Sequence, residues 1–212
     1  MTTAQVLKHA RDARGAGLTV DQYHRMIASG EISEGAPIEL LDGVMLRKDR
    51  SKAGEDLMSV GIDHAWAVDN LATVLAGVGS HGCFVRLQFP VTLPPDGEPE
   101  PDAAIVRGQR EDYLRQRRHP GAADAPCVIE VADSSLNRDR TTKLRIYAEG
   151  GIGQYVIVNL VERIIEVYER PVPQEGRYDV TARKAAGEDV AFSCGEGRSV
   201  PVAVAALLPP GW

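Results

Sequence analysis

At 212 residues, with 43% hydrophobic and 25% charged residues, the chain is long enough for one domain to bury a substantial core. Its net charge of -6 argues against a general nucleic-acid coat protein, which would draw on an excess of Lys and Arg. No run approaches the roughly 18 apolar residues of a membrane span; the first residues lack the apolar core of a signal peptide, and Cys83, Cys127 and Cys194 are too scattered for a disulfide framework or a zinc pattern. A soluble, cytoplasmic protein without membrane contact, carrying buried free thiols, is therefore expected.

Residues 1 to about 30 predict a small N-terminal helical element, with Thr19 as a cap and Gly30 as a stop. In Ile38–Leu46 two apolar runs flank Asp42-Gly43, a hairpin signal that puts Glu39 near the start of the hairpin. Arg47 to Ile62 is polar and predicts a mobile connection. From Asp63, Val68, Leu71, Ala72 and Leu75 recur at helical spacing, and the pattern stops near Gly77 and Gly79. Phe84 to Leu93 alternates as a strand does. After a turn rich in Pro and Gly, Glu100–Val106 predicts a second strand whose first residues carry Asp102. A short helix is expected around Tyr113. Cys127–Ala132 is a compact apolar run broken by Glu130, the pattern of a buried strand with one functional exception. A turn to Asp139, a helix to Glu149 closed by Gly150 and Gly151, and strands at 154–160 and 163–168 follow. From about 171 to 212 the chain predicts a β-rich extension with an apolar closing segment.

Hydrolysing a phosphodiester calls for a hard divalent ion, and Mg²⁺ or Mn²⁺ takes oxygen ligands. Asp102 and Glu130, on adjacent predicted strands, supply two, and the Val131 carbonyl is a neutral third. Lys143 would orient the attacking water, and helical spacing puts Arg140, Lys143 and Tyr147 on one face. Each residue also has a plainer explanation. Asp102 after Pro101 suits a turn, Lys143 suits a surface, and Glu39 suits a hairpin. Glu130 is harder to explain away, because an unpaired carboxylate in an apolar strand costs several kcal/mol. His64, opening a helix, is a candidate for phosphate contact beside a structural role. Ser134 and Ser135 lack a nucleophile elbow and suit a turn. Two basic stretches, Arg107–Arg118 and Arg138–Arg145, are either local binding faces or solvated ones.

The run Val128–Leu136, then Asp139-Arg140, Lys143, Tyr147-Ala148 and Gly151-Ile152, resembles the Uma family of restriction-endonuclease-like proteins. Ile38–Gly43 and Glu100–Val106 match that family's other two landmarks, so the resemblance runs over about residues 20 to 208. It implies the PD-(D/E)XK nuclease fold: an α/β (α+β) restriction-endonuclease-like core, a mixed central β-sheet flanked by helices, in a single domain. By position, Asp102 is the Pro-Asp acid, Glu130 the second acid and Glu39 the upstream acid. The superfamily's lysine two residues after the second acid is absent, since Ala132 stands there, and Lys143 replaces it from the helix. Gln154, Tyr155 and Val156 depart from the family's Glu and Trp at the next strand.

The expected function is a Mg²⁺- or Mn²⁺-dependent endonuclease acting on nucleic acid, in the first place DNA. Asp102, Glu130, Val131 and Glu39 would hold metal, Lys143 would assist the nucleophile, and Arg140, Tyr147 and His64 would contact substrate. The alternatives are a nuclease-fold binding or assembly module and, more distantly, a small phosphate-ester hydrolase. A homodimer is expected to cover exposed strands and Leu207, Leu208 and Trp212.

Overall fold

The computed structural model describes residues 17–33, 35–47 and 61–211. Most of the expected N-terminal helical element, the polar connection at 48–60 and Trp212 lie outside the described residues. The first described helix, α1 (Val20–Ala28), starts where Thr19 and Gln22 cap each other. It packs Val20 and Tyr23 against Leu40 and Ile32. Strands β1 (Ile38–Leu41) and β2 (Val44–Arg47) form the hairpin that Asp-Gly predicts. Asp42 and Gly43 have φ of 52° and 73°, the left-handed pair of a tight hairpin turn. A Cβ on Gly43 would stand 2.8 Å from the Gly17 backbone, so close approach as well as φ requires glycine there.

The centre is a six-stranded mixed sheet in sequential order: β3 (Cys83–Leu87), β4 (Ala103–Arg107), β5 (Cys127–Ala132), β6 (Gln154–Asn159), β7 (Ile164–Val172) and β8 (Arg177–Lys184). Only β5 and β6 run parallel; the other neighbours are antiparallel. A parallel pair needs a crossover, and the helical stretch α4, after β5, supplies it. This stretch joins Leu136–Arg138, a π-helical turn at Asp139–Lys143 and Leu144–Glu149. It thus begins before Asp139, where the sequence pattern predicts a turn. β3 is also shorter than predicted: Gln88 turns out of the strand at φ 52°, and Pro90 cannot donate to a ladder. Asp102 therefore lies just before β4 rather than within it.

Alternation sorts the strands into two faces. Cys127, Ile129 and Val131 of β5 join α2 (Ile62–Val74), the hairpin of β9 (Asp189–Gly195) with β10 (Arg198–Ala203), and α5 (Val204–Leu207) in one core. Val128 and Ala132 join Ile146 and Tyr147 of α4 and Tyr155 and Ile157 of β6 in the other, with Tyr113 of α3 (Arg110–Gln116) at its margin. Residues from 171 onward supply β8 and this covering hairpin. All three cysteines are buried and free. Leu207 and Leu208 are buried within the chain's own core, so their cover comes from inside the protomer and gives no reason for a dimer. No helix among the described residues is long and apolar enough to cross a membrane.

Candidate active site

Where β4 begins and β5 ends, five elements bring ionisable side chains together. Asp102 stands at the entrance to β4, and its Oδ2 accepts the N–H of Val131 at 2.8 Å. Within a strand the N–H and C=O of one residue point to the same edge, so the Val131 carbonyl also faces the Asp102 side. On Asp102's other oxygen, Oδ1 lies 3.5 Å from His64 Nε2, at the start of α2. Glu130 is 3% exposed and points toward α4, where two residues one helical turn apart hold the same oxygen: Lys143 Nζ and Tyr147 OH donate to Oε1 at 2.8 and 2.7 Å. Glu39, from β1, is 3.7 Å from Lys143 and accepts the N–H of Glu100 at 3.3 Å.

Sequence spacing predicts Arg140 on the face shared by Lys143 and Tyr147, and here the structure differs. The π turn between Asp139 and Lys143 changes the angular step, and Arg140 instead spans Glu166 and Glu162. Tyr147 has no exposed surface and touches Glu130 rather than opening onto the cleft. Asp102, Glu130, Lys143, Glu39, Val131 and His64 do converge.

Sequence reasoning missed Asp139. It is 1% exposed, its Oδ2 takes a 2.5 Å hydrogen bond from Ser135, and its buried Oδ1 has no partner among the described residues. Its place beside Arg140 in the family-like run gives it no role, and a Ser and an Asp four residues apart suit an ordinary helix start equally well.

The electrostatics follow from burial. One lysine serves Glu130, Glu39 and Asp139. Desolvation, with Asp139 and Asp102 nearby, outweighs Lys143 and pushes the Glu130 carboxyl up to about 8. Burial also raises Asp139. Lys143 is desolvated too, yet its surrounding carboxylates raise its pKa and keep it an ammonium. For Asp102, burial works upward, but His64, Lys143 and the Val131 N–H together hold it below the ordinary carboxylate range. The hydrogen bond with Asp102 raises His64. The cluster thus holds two acids poised differently: Asp102 is held toward its ionised form and Glu130 toward its protonated one. Among the described residues no group of three or more His, Cys, Asp or Glu side chains is set out as a ready metal cage.

The family described as "Uma2: Putative restriction endonuclease" matches residues 20–194. The chain belongs to the Uma2 family. A crystal structure of "a putative nuclease belonging to DUF820" from Anabaena variabilis ATCC 29413 shares the fold of this Uma2 protein at a TM-score of 0.57. The two are 13% identical, and the match covers 90% of this chain and 97% of that one. No match is found among curated proteins. The mixed sheet flanked by helices is thus the fold that this putative nuclease shares, and Asp102 and Glu130 of this Uma2 chain lie at one end of it.

Proposed function

We propose that this Uma2 protein is a divalent-metal-dependent endonuclease that hydrolyses DNA phosphodiester bonds, and that the cluster of Asp102, Glu130, Glu39 and Lys143 is its active site. The observation that carries this reading is Glu130. A carboxylate buried at 3% exposure, with one shared lysine and a pKa pushed up to about 8, is not a stabilising core feature. The family description and the restriction-endonuclease-like fold, in which divalent metals are general, support it.

The residues fit a hard cation. Asp102, Glu130 and Glu39, with the Val131 carbonyl, offer oxygen donors alone, and the surplus of buried carboxylates over Lys143 is charge of the sign a divalent ion neutralises. When bound, such an ion supplies Lewis-acid polarisation of the phosphoryl group and a lowered pKa for water. The protein's own groups do the remaining work. Tyr147 and Lys143 fix the rotamer of Glu130; the Val131 N–H and His64 fix Asp102. Lys143 is the one buried ammonium at the cluster among the described residues, able to orient the attacking water and to offset charge developing on the phosphoryl oxygens.

A second reading, a nuclease-fold binding or assembly module without cleavage, is favoured by Lys143 pairing with both Glu130 and Glu39, groups a metal would need to share. Calorimetric titration with Mn²⁺ separates the two: binding at micromolar to low millimolar concentration fits the enzyme, and no binding fits the module. Purified protein with Mg²⁺ or Mn²⁺ and supercoiled, linear and single-stranded DNA should give cleavage that Lys143→Ala abolishes. Cleavage unchanged by that substitution would sink the assignment.

A further inference from the structure

A cavity of about 1530 Å³ opens between α1, the end of β3 and α3. Small-molecule pockets usually run to about 300–1,000 Å³, so this one suits a segment of a polymer. Gln88 and Glu100 line it. Both are tied to the acid cluster, since the Gln88 N–H donates to the Asp102 carbonyl and the Glu100 N–H to Glu39.

Arg86 of β3 reaches this cavity. It lies across from Ala104, which in turn faces Val128, so Arg86 shares the sheet face of Glu130. Two strand spacings and two residues separate them, on the order of 12 Å. Its Nη2 donates to Nδ1 of His119 at 2.8 Å, and its buried Nε has no partner among the described residues. A guanidinium only donates. His119 must therefore accept through Nδ1, neutral, with its proton on Nε2.

A half-buried cation held by a neutral ring instead of a carboxylate is an unbalanced arrangement. Among the described residues no salt bridge joins Arg86, Arg110 or Arg117 to a carboxylate, and all three line the cavity. Two nearby acids are engaged elsewhere: Glu98 with His24 and Thr92, Asp124 with Arg118. A second observation points the same way. Phe89 is 58% exposed at the cavity wall, and the Arg86 guanidinium lies 5.0 Å from its ring centroid. An exposed aromatic ring beside unpaired arginines is how sequence-tolerant binders hold single strands, bases on the ring and phosphates on the cations.

We propose that Arg86 and His119 form a phosphate-binding subsite, with Phe89 as a stacking surface for a base, and that the cavity holds a single-stranded segment of nucleic acid running toward the carboxylates. This rests on reading the substrate as nucleic acid, but not on cleavage. The test is fluorescence anisotropy with a labelled single-stranded oligonucleotide and its duplex, in chelator, so that a protein that never cuts still gives an answer.

The single strand should bind more tightly than the duplex. Arg86→Gln should weaken binding about 5- to 10-fold and flatten the dependence of log affinity on log salt by about 0.7. Phe89→Ala should weaken it about tenfold. Arg177→Gln, the same charge change on β8 at the far edge of the sheet, should leave it unchanged. Thermal melts accompany each variant; if Arg86→Gln does not fold, His119→Gln and the exposed Phe89→Ala decide. Affinity unaltered by these substitutions, or inorganic phosphate competing as well as the oligonucleotide while Phe89→Ala has no effect, would overturn the proposal.

Discussion

Two buried glutamates stand in one row of the sheet and behave in opposite ways. Glu130 of β5 is in register with Ile157 of β6, and Ile157 with Glu166 of β7, so the two carboxyls lie two strands apart on the same face, roughly 9–10 Å. Their exposures are nearly equal, 3% and 4%. Glu166 accepts from Arg140 on both oxygens, from Asn159 at 2.8 Å and from Tyr168 at 2.7 Å. Burial works upward on it, but those bonds prevail and leave its pKa lowered. Glu130 has two donors on one oxygen, shares its lysine with other acids and is raised. Burial of a carboxylate therefore does not mark function by itself. Incomplete compensation does.

The sharpest way to break that contrast is to make one substitution at both positions. Glu130→Gln should lower cleavage by about 10²-fold or more, weaken Mn²⁺ binding in calorimetry, and change stability by less than about 1 kcal/mol. Glu166→Gln should do the reverse: a loss of about 1–3 kcal/mol in denaturant unfolding, held below the full value for a buried pair because Arg140 is partly solvated, with Mn²⁺ affinity retained. Equal effects of the two on metal affinity would end the distinction.

Next in size is a pH effect. The Glu130 pKa rises from 4.5 to about 8 on folding, so the folded state favours its protonated form. Its contribution to stability is full below the unfolded value and is lost as pH climbs through the folded one. His64, also raised, loses its contribution in the same direction above 6.5. In chelator the thermal midpoint should fall as pH rises from about 6 to 9, and saturating Mn²⁺ should restore it. Over the same window Mn²⁺ affinity should increase, with proton release seen as buffer-dependent binding heat. A midpoint that climbs with pH in chelator would contradict the account of Glu130.

The smallest effect should come from Asp139→Asn. Removing a negative charge near Glu130 lowers that carboxyl's pKa, so the pH-dependent fall of the midpoint should shift to lower pH by a fraction of a unit. The amide can still accept the Ser135 hydroxyl, so stability at about pH 6 should change by less than about 1 kcal/mol. No movement of the transition would mean that Asp139 is electrically remote from the pair.

Much of this is legible in the chain. The Thr19 cap, the Asp42-Gly43 turn and the run Cys127–Ala132 depend on neighbours a few residues apart, and each appears where its residues predict. Glu130 stands out in a strand whose every other residue is apolar, a conflict visible without coordinates. Arg140 was not legible. A 3.6-residue period groups it with Lys143 and Tyr147, while a π turn with no sequence signature sends it to Glu166. Arg86 and His119, 33 positions apart, meet only because the 117–123 loop folds back beside β3.

The sequence by itself determined which residues are chemically able to act: two acids on adjacent strands, an upstream acid and a helical lysine, set among elements that local hydrogen bonding and side-chain period specify. Only the tertiary structure decided which charge meets which. Lys143 reaches Glu39 from more than a hundred positions away, Tyr147 takes the oxygen that Lys143 also holds, and Glu166 rather than Glu130 receives the arginine. The physical reason is that a buried charge is stabilised by contacts within a few ångströms, and separation along the chain does not encode them.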